Sequence, residues 1–336
     1  MMKWKSYYRH EFDLPGTRDY LEMIFSRAEE DTFLDHFINN GAILSFPHTA
    51  LHYAALAQSR VVVALYRAGV KRIVALGVLH VWGHTASSSL YRQAMNEEEP
   101  PSLRRDAFSA LAGAFVPPNP FLQTPFGVIP LDFSPLPKND TIRQDRFQIL
   151  EEEFSLDTFL SLLDYYYLLH NQSLPEIIPI YIGMTRNPLT NSFETASQIA
   201  RVIQKIASPE TAVVATGDIV HYGTGYPPKE VMNEMPASVE ELEKVFREEI
   251  DVVLNLVLKR KDYVQAFSKL DQLLNNDQRY LLPVISECLG NDAGYDIISF
   301  QLSDYAAINK GDPPCFVASS LIAYKPGPIG SEKEGI

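Results

Sequence analysis

A few positions in this chain carry side chains suited to gripping a metal ion and moving a proton beside it. His48 follows the apolar run Ala42–Phe46, and His80 follows the run Arg72–Gly77. A third apolar run, Ala212–Thr216, leads directly into Gly217-Asp218-Ile219-Val220-His221. Two histidines with one carboxylate, leaving coordination positions open, make up the ligand set of non-haem iron(II) centres. The carboxylate must come from elsewhere than the two histidine segments. Asp277, which begins a helix in the last third of the chain, is the preferred candidate, and Asp218 is the alternative. His221 has a side chain that ordinarily titrates near pH 6.5, about right for a general acid or base or for hydrogen-bonding a substrate oxygen.

Each position also has a plainer reading. A lone histidine at a strand end is more often a hydrogen-bonded core or cap residue than a ligand. Asp277, preceded by Asn275-Asn276, has the look of a helix N-cap. Asp218 can simply accept backbone N–H groups in a tight turn. What separates His48 and His80 from these readings is that they sit at the ends of successive strands of one unit. His52, His84 and His170 are expected on the surface or in satisfied cores. Cys288, in mid-helix, reads as a small hydrophobe, and Cys315 has no basic neighbour to activate it.

The elements that must position these groups can be traced. Ala42–Phe46 and Arg72–Gly77 are nearly continuous apolar runs, the pattern of strands buried on both faces. Between them Leu51, Ala54, Val61, Val62 and Leu65 recur at helical spacing, with Thr49 placed to cap the helix and Gly69 to end it. The result is a β-α-β unit with parallel strands. His48 and His80 are then expected side by side at the carboxyl edge, where open parallel sheets bind ligands.

Elsewhere the spacing predicts helices over Arg18–Phe33, near Leu103–Ala114, over Ile142–Phe154 and over Thr158–Leu169. Glu176–Gly183 reads as a strand in which Pro179 hints at an edge or bulge. Asn191–Glu194 and Ser238–Glu241 read as capping boxes, Asp262 and Asn276 or Asp277 as helix starts, and Tyr295–Leu302 and Phe316–Tyr324 as strands. No linker divides the chain, so residues 1–325 are expected to form one domain and 326–336 a frayed tail.

The chain has 336 residues, 46% of them hydrophobic, which is enough for a large core. A formal net charge of −13 with no basic stripe speaks against a nucleic-acid partner. No uncharged apolar stretch reaches the roughly 18 residues of a membrane span, and the first residues lack the apolar segment of a signal peptide. Two isolated cysteines make neither a disulfide framework nor a zinc knuckle. A cytoplasmic protein is the expectation.

Five segments in order, Pro47-His48, Gly77-x-x-His80, TPFGVIPLD at Thr124–Asp132, EIIPIYIG at Glu176–Gly183 and VVATGDIVHYG at Val213–Gly223, resemble the Memo family (AmmeMemoRadiSam system protein B). That family is related to class III extradiol ring-cleaving dioxygenases such as protocatechuate 4,5-dioxygenase. The resemblance spans about Ala42 to Tyr324. It implies a single α/β domain whose central, largely parallel or mixed sheet is flanked by helices. Its metal-binding histidines fall on His48 and His80, and its active-site Asp-x-x-His falls on Asp218 and His221. The third ligand position, Cys in some members and Glu in the dioxygenases, comes closest to Asp277, with Asn276 one step away.

There are departures. Val81 stands where the family has a second histidine. In the segment Glu153-Phe154-Ser155-Leu156-Asp157, Phe154 replaces a pocket histidine and Asp157 a glutamate. A phenyl ring has neither the donor nor the acceptor of an imidazole, so the chemistry is expected to be altered.

Three functions follow. One is a metal-dependent, dioxygenase-like oxidoreductase with iron(II), or else copper or zinc. Another is a non-catalytic protein that binds a small molecule or peptide at the carboxyl edge of the sheet. The third is a metal-assisted hydrolase.

Overall fold

The computed structural model describes residues 3–137, 141–145, 148–224, 226 and 238–327. Its organising element is one mixed sheet. The apolar runs become β1 (Ile43–Phe46), β2 (Arg72–Val78), β7 (Glu176–Ile182) and β8 (Thr211–Thr216), which lie parallel in the order β1-β8-β2-β7. Nearly every residue in them is buried, so both faces of the sheet are covered. Beyond β1 the antiparallel strands β11 (Cys315–Lys325) and β10 (Gly294–Asp304) extend the sheet, and the short β9 (His221–Gly223) pairs with β11. Beyond β7 lie β3 (Ala114–Val116) and β6 (Ile142–Gln144). A separate hairpin joins β4 (Phe121–Gln123) to β5 (Val128–Pro130).

Helices flank the sheet in two sets. One comprises α2 (Thr17–Glu29), α3 (Phe33–Asn39) and α7 (Asp157–Leu169), packed around the crossover helix α4 (Leu51–Ala68), with α1 (Trp4–Glu11) lying on α7. The other comprises α8 (Glu194–Ile206), α9 (Val239–Leu258), α10 (Tyr263–Gln272) and α11 (Leu282–Leu289). The pair α5 (Ser88–Met95) and α6 (Pro101–Leu111) follows β2, and a short α12 (Ala306–Asn309) precedes β11. Among the described residues no helix is long and apolar enough to cross a membrane.

Several local expectations hold. Gly69 ends α4 in the left-handed conformation at φ 62°, Ser238 accepts the Glu241 N–H at the start of α9, and Asp262 accepts the Gln265 N–H at the start of α10. Pro179 sits in an interior strand, but β3 reaches only Tyr181 and Ile182. Along the rest of β7, among the described residues, no ladder strand lies on that side to miss its N–H.

Other expectations are corrected. The helix expected over Arg18–Phe33 forms but ends at Glu29; Asp31 Oδ1 accepts the Phe33 N–H at 2.8 Å where α3 begins, and α2 packs on α4. Ile142–Phe154 is not a helix: its first residues pair with β3, and only a single 3₁₀ turn, Ile149–Glu151, follows. Thr49 does not cap α4; its hydroxyl pairs with Ser319, and the Leu51 N–H is taken by the Glu11 carboxylate of α1 instead. Asn191 does not cap α8, since its amide oxygen accepts from Arg186, and Ser192 takes the Glu194 N–H. The Pro227-Pro228 loop, and the expected tail from residue 328 on, lie outside the described residues.

Candidate metal centre

Strands β1, β2 and β8 end at Phe46, Val78 and Thr216, and two positions past each end stand His48, His80 and Asp218. The chain therefore delivers three polar side chains to one edge by the same local rule. The two histidine strands are not neighbours, since β8 lies between β1 and β2, yet His48 and His80 stand side by side as expected. Their side chains lean across β8, and the rings of His48 and His80 meet at 5.2 Å between centroids. Asp218, just past the end of that middle strand, lies against His48, its Oδ2 3.6 Å from Nε2. Its Oδ1 accepts the His48 N–H at 3.1 Å, which is the turn-accepting role a strand-end aspartate commonly plays.

Asp277 arrives from the opposite direction. It opens a 3₁₀ turn, Asp277–Arg279, that docks against the sheet edge: its N–H donates to the Asp218 carbonyl at 3.0 Å. The next residue secures the dock. Gln278 donates to Ser45 Oγ at 2.6 Å and accepts from the Tyr324 hydroxyl at 3.1 Å, gripping β1 and β11 together. Asn276 caps this turn, its Oδ1 accepting the Gln278 N–H at 2.6 Å, so its amide is committed locally and only Asp277 turns inward. Asn276 thus serves the turn, while the Asp277 carboxylate faces the histidines.

The result is a convergence of nitrogen atoms on one oxygen. Asp277 Oδ2 lies 3.3 Å from His48 Nε2, 3.5 Å from His80 Nε2 and 3.6 Å from His221 Nε2. In each ring the other nitrogen is spoken for. His80 Nδ1 faces both oxygens of Glu153 at 3.1 Å, and His221 Nδ1 faces the Asn275 carbonyl at 2.9 Å. His48 Nδ1 faces Thr216 Oγ1 at 3.3 Å, and that hydroxyl already donates to the Phe46 carbonyl. All three partners are acceptors, so each Nδ1 donates its proton outward and Nε2 is the nitrogen turned to the centre, a lone-pair donor whenever the ring is neutral. Three Nε2 atoms thus converge, at 3.3–3.6 Å, on a buried carboxylate oxygen that none of them meets in hydrogen-bonding geometry.

Such a cluster repels itself unless a positive charge sits among it. Asp218, Asp277 and Glu153 are all buried, and among the described residues no Lys or Arg forms an ion pair with any of them. Protons supply part of the charge. Burial opposes ionising His80, but Glu153 and Asp277 outweigh it and lift its pKa to about 10. Burial likewise works against the Glu153 and Asp277 carboxylates, yet the neighbouring imidazoles hold both well below the usual range. Asp218 goes the other way: burial raises it against the pull of His48 and His221. His48, His80 and Asp277 can together hold a divalent cation, and so can Asp218, His221 and Asp277. Imidazole and carboxylate donors of this kind suit iron, copper or zinc.

The expected groups are therefore brought together: His48, His80 and Asp277 as one ligand-grade set, with His221 and Asp218 beside it. Two others belong to the site without a role assigned from the sequence. Glu153 accepts from His80, and His84 Nε2 lies 2.9 Å from Glu153 Oε2. His84 is buried and bonded, which fits the satisfied-core reading, but its partner ties it to the centre. The signal for Glu153 is thin: it is the last of three consecutive glutamates, Glu151-Glu152-Glu153, and nothing in their spacing sets one of them apart.

The wall opposite Asp277 is aromatic. Phe154 stacks on His80 at 4.8 Å and meets His48 edge-on at 5.7 Å, while Tyr8 of α1 covers Phe154 at 5.0 Å. Asp157 does not reach the centre; its Oδ2 takes Arg9 at 3.2 Å and Lys5 at 3.9 Å and so clamps α1 over the wall. Tyr226 lies 4.8 Å from His221 on the other side.

Compared with known proteins, the chain matches no family model and no curated sequence.

Proposed function

We propose that this chain is a Memo-like metal protein that holds a divalent ion, iron(II) foremost, through His48, His80 and Asp277 and acts as a dioxygenase-like oxidoreductase on a small molecule bound at the carboxyl edge of the sheet. One observation carries the reading: the partnerless Asp277 Oδ2 is faced at 3.3 and 3.5 Å by the Nε2 atoms of two imidazoles whose Nδ1 atoms are each held by an acceptor on the far side of the ring. A bound divalent ion would supply a Lewis acid with open positions for a substrate's oxygens. The chain's own residues do the rest. His221, its Nδ1 proton committed to Asn275, has Nε2 free to take a proton from a substrate hydroxyl and return it. Asp218 holds the His48 backbone and adds negative charge beside His221. Phe154, Tyr8 and Tyr226 keep bulk water away and favour a flat apolar substrate.

A second reading, a binding protein that keeps the centre without oxidative turnover, is favoured by Phe154. It occupies with a phenyl ring a position where the resemblance implies an imidazole, and Tyr8 closes over it. The two readings separate in one experiment. Anaerobically purified protein is expected to contain close to one iron per chain, lost in His48→Ala, and to consume oxygen with at least one member of a catechol panel. Iron without oxygen uptake selects the binding reading, zinc in its place selects hydrolysis, and protein that takes up no metal from added salts defeats all three.

A further inference from the structure

The centre has a buried acidic residue behind one of its histidines, on the Nδ1 side of His80, whose Nε2 faces Asp277. Glu153 is fully buried, and its carboxylate is surrounded by nitrogens. Oε1 accepts the N–H groups of Phe154 and Ser155 at 2.8 Å, and Oε2 accepts the His80 N–H at 2.8 Å. Both oxygens face His80 Nδ1 at 3.1 Å, and Oε2 faces His84 Nε2 at 2.9 Å. We infer that Glu153, backed by His84, is the positioning residue that makes His80 a metal ligand and sets the affinity of the centre. This inference rests on the metal-binding reading above and adds to it a residue to which neither the motif spacing nor that reading gives a part.

Three physical points support it. First, one carboxylate holds both the backbone N–H and the ring Nδ1 of His80, so the imidazole cannot turn without breaking a charge-assisted hydrogen bond. Second, the three imidazoles have unequal partners: a hydroxyl for His48, a carbonyl for His221 and a full carboxylate for His80. A carboxylate behind a ligating imidazole makes its far nitrogen the more basic donor. Third, the support is itself anchored. Ser155 Oγ donates to the Val78 carbonyl at 2.8 Å, which pins the Glu153 segment to the end of β2. This close approach depends on Gly77, where a Cβ would lie 2.8 Å from Tyr181 Cδ1 and 3.0 Å from Ser155 Oγ. His84 gives the buried charge a further partner, its Nε2 lying 2.9 Å from Oε2.

Were Glu153 only a structural tie between β2 and the start of α7, its loss would lower stability and leave metal affinity alone. The test is an anaerobic titration of the full chain with cobalt(II) against a chromophoric chelator, following the visible ligand-field bands. Glu153→Gln, nearly isosteric, is expected to weaken cobalt(II) binding by about 10- to 100-fold and to shift those bands, with the stoichiometry at saturation unchanged. Affinity within twofold of wild type, with unshifted bands, would overturn the inference. If Glu153→Gln does not fold, His84→Leu decides: a threefold or larger loss of affinity supports the role, and none overturns it. Wild-type protein that binds no cobalt(II) overturns both this inference and the metal reading, and does so in an arm of its own.

Discussion

Gly217 and Gln278 are packed so closely that a Cβ on the first would overlap Cγ of the second. Gly217 also holds a positive φ of 154°, a conformation that side chains disfavour. A missing side chain at the end of β8 is thus what lets the turn carrying Asp277 dock. Gly217→Ala is expected to cost about 2–4 kcal/mol by adding backbone strain to overpacking, and to abolish tight metal binding. Chemical unfolding together with metal analysis checks both. A variant that is stable and still metal-loaded would show that the turn docks by other means.

Asp277→Asn keeps the shape of the turn and removes its charge. With cobalt(II) at a hundred times the dissociation constant, wild type should gain about 2.7 kcal/mol of stability, and the variant almost none. His48→Ala should behave alike. Thermal unfolding with and without the ion gives the answer; equal metal-induced shifts in wild type and Asp277→Asn would remove Asp277 from the ligand set.

Glu11 reports on pH. Burial raises its pKa to about 7, against the lowering effect of the Leu51 N–H that it accepts. The folded chain therefore binds more protons than the unfolded one between about pH 4.5 and 7, and this contribution to stability is present below that window and lost as pH rises through it. Glu11→Gln should match wild type near pH 5 and exceed it by about 1–3 kcal/mol at pH 8. Denaturant titrations at the two pH values decide, and a variant less stable than wild type at pH 8 would mean that the start of α4 favours the charged form.

Phe154 links the centre to α1 through His80 and Tyr8. Phe154→Ala should cost about 3–4 kcal/mol by opening a cavity and should loosen α1, while leaving cobalt(II) affinity within a few-fold because no ligand loses its hydrogen bond. Faster amide exchange over Tyr7–Glu11 with intact metal binding is the expected pattern. A collapse of affinity as deep as that of Glu153→Gln would mean that stacking, rather than the carboxylate, holds His80 in place.

Much of the site is legible along the chain, because strands buried on both faces must be written as continuous apolar runs, and β1, β2, β7 and β8 are. The turn just past such a run is a defined place, so His48, His80 and Asp218 can be assigned to one sheet edge from local spacing alone. Strand order cannot, since inserting β8 between β1 and β2 is a matter of how distant segments pack. Nor can spacing choose between Asn276 and Asp277, which are equally plausible at a helix start. The gap over Gly217 and the grip of Gln278 on Ser45 and Tyr324 make that choice. Glu153 is the clearest case. Ile142–Phe154 has helical spacing, but pairing with β3 overrides it, and the carboxylate then finds His80 across the fold. The sequence by itself determined which groups stand at the ends of strands, because burial dictates local pattern. Only the tertiary structure decided which lone pairs meet, because a ligand set is made of contacts between residues that nothing local relates.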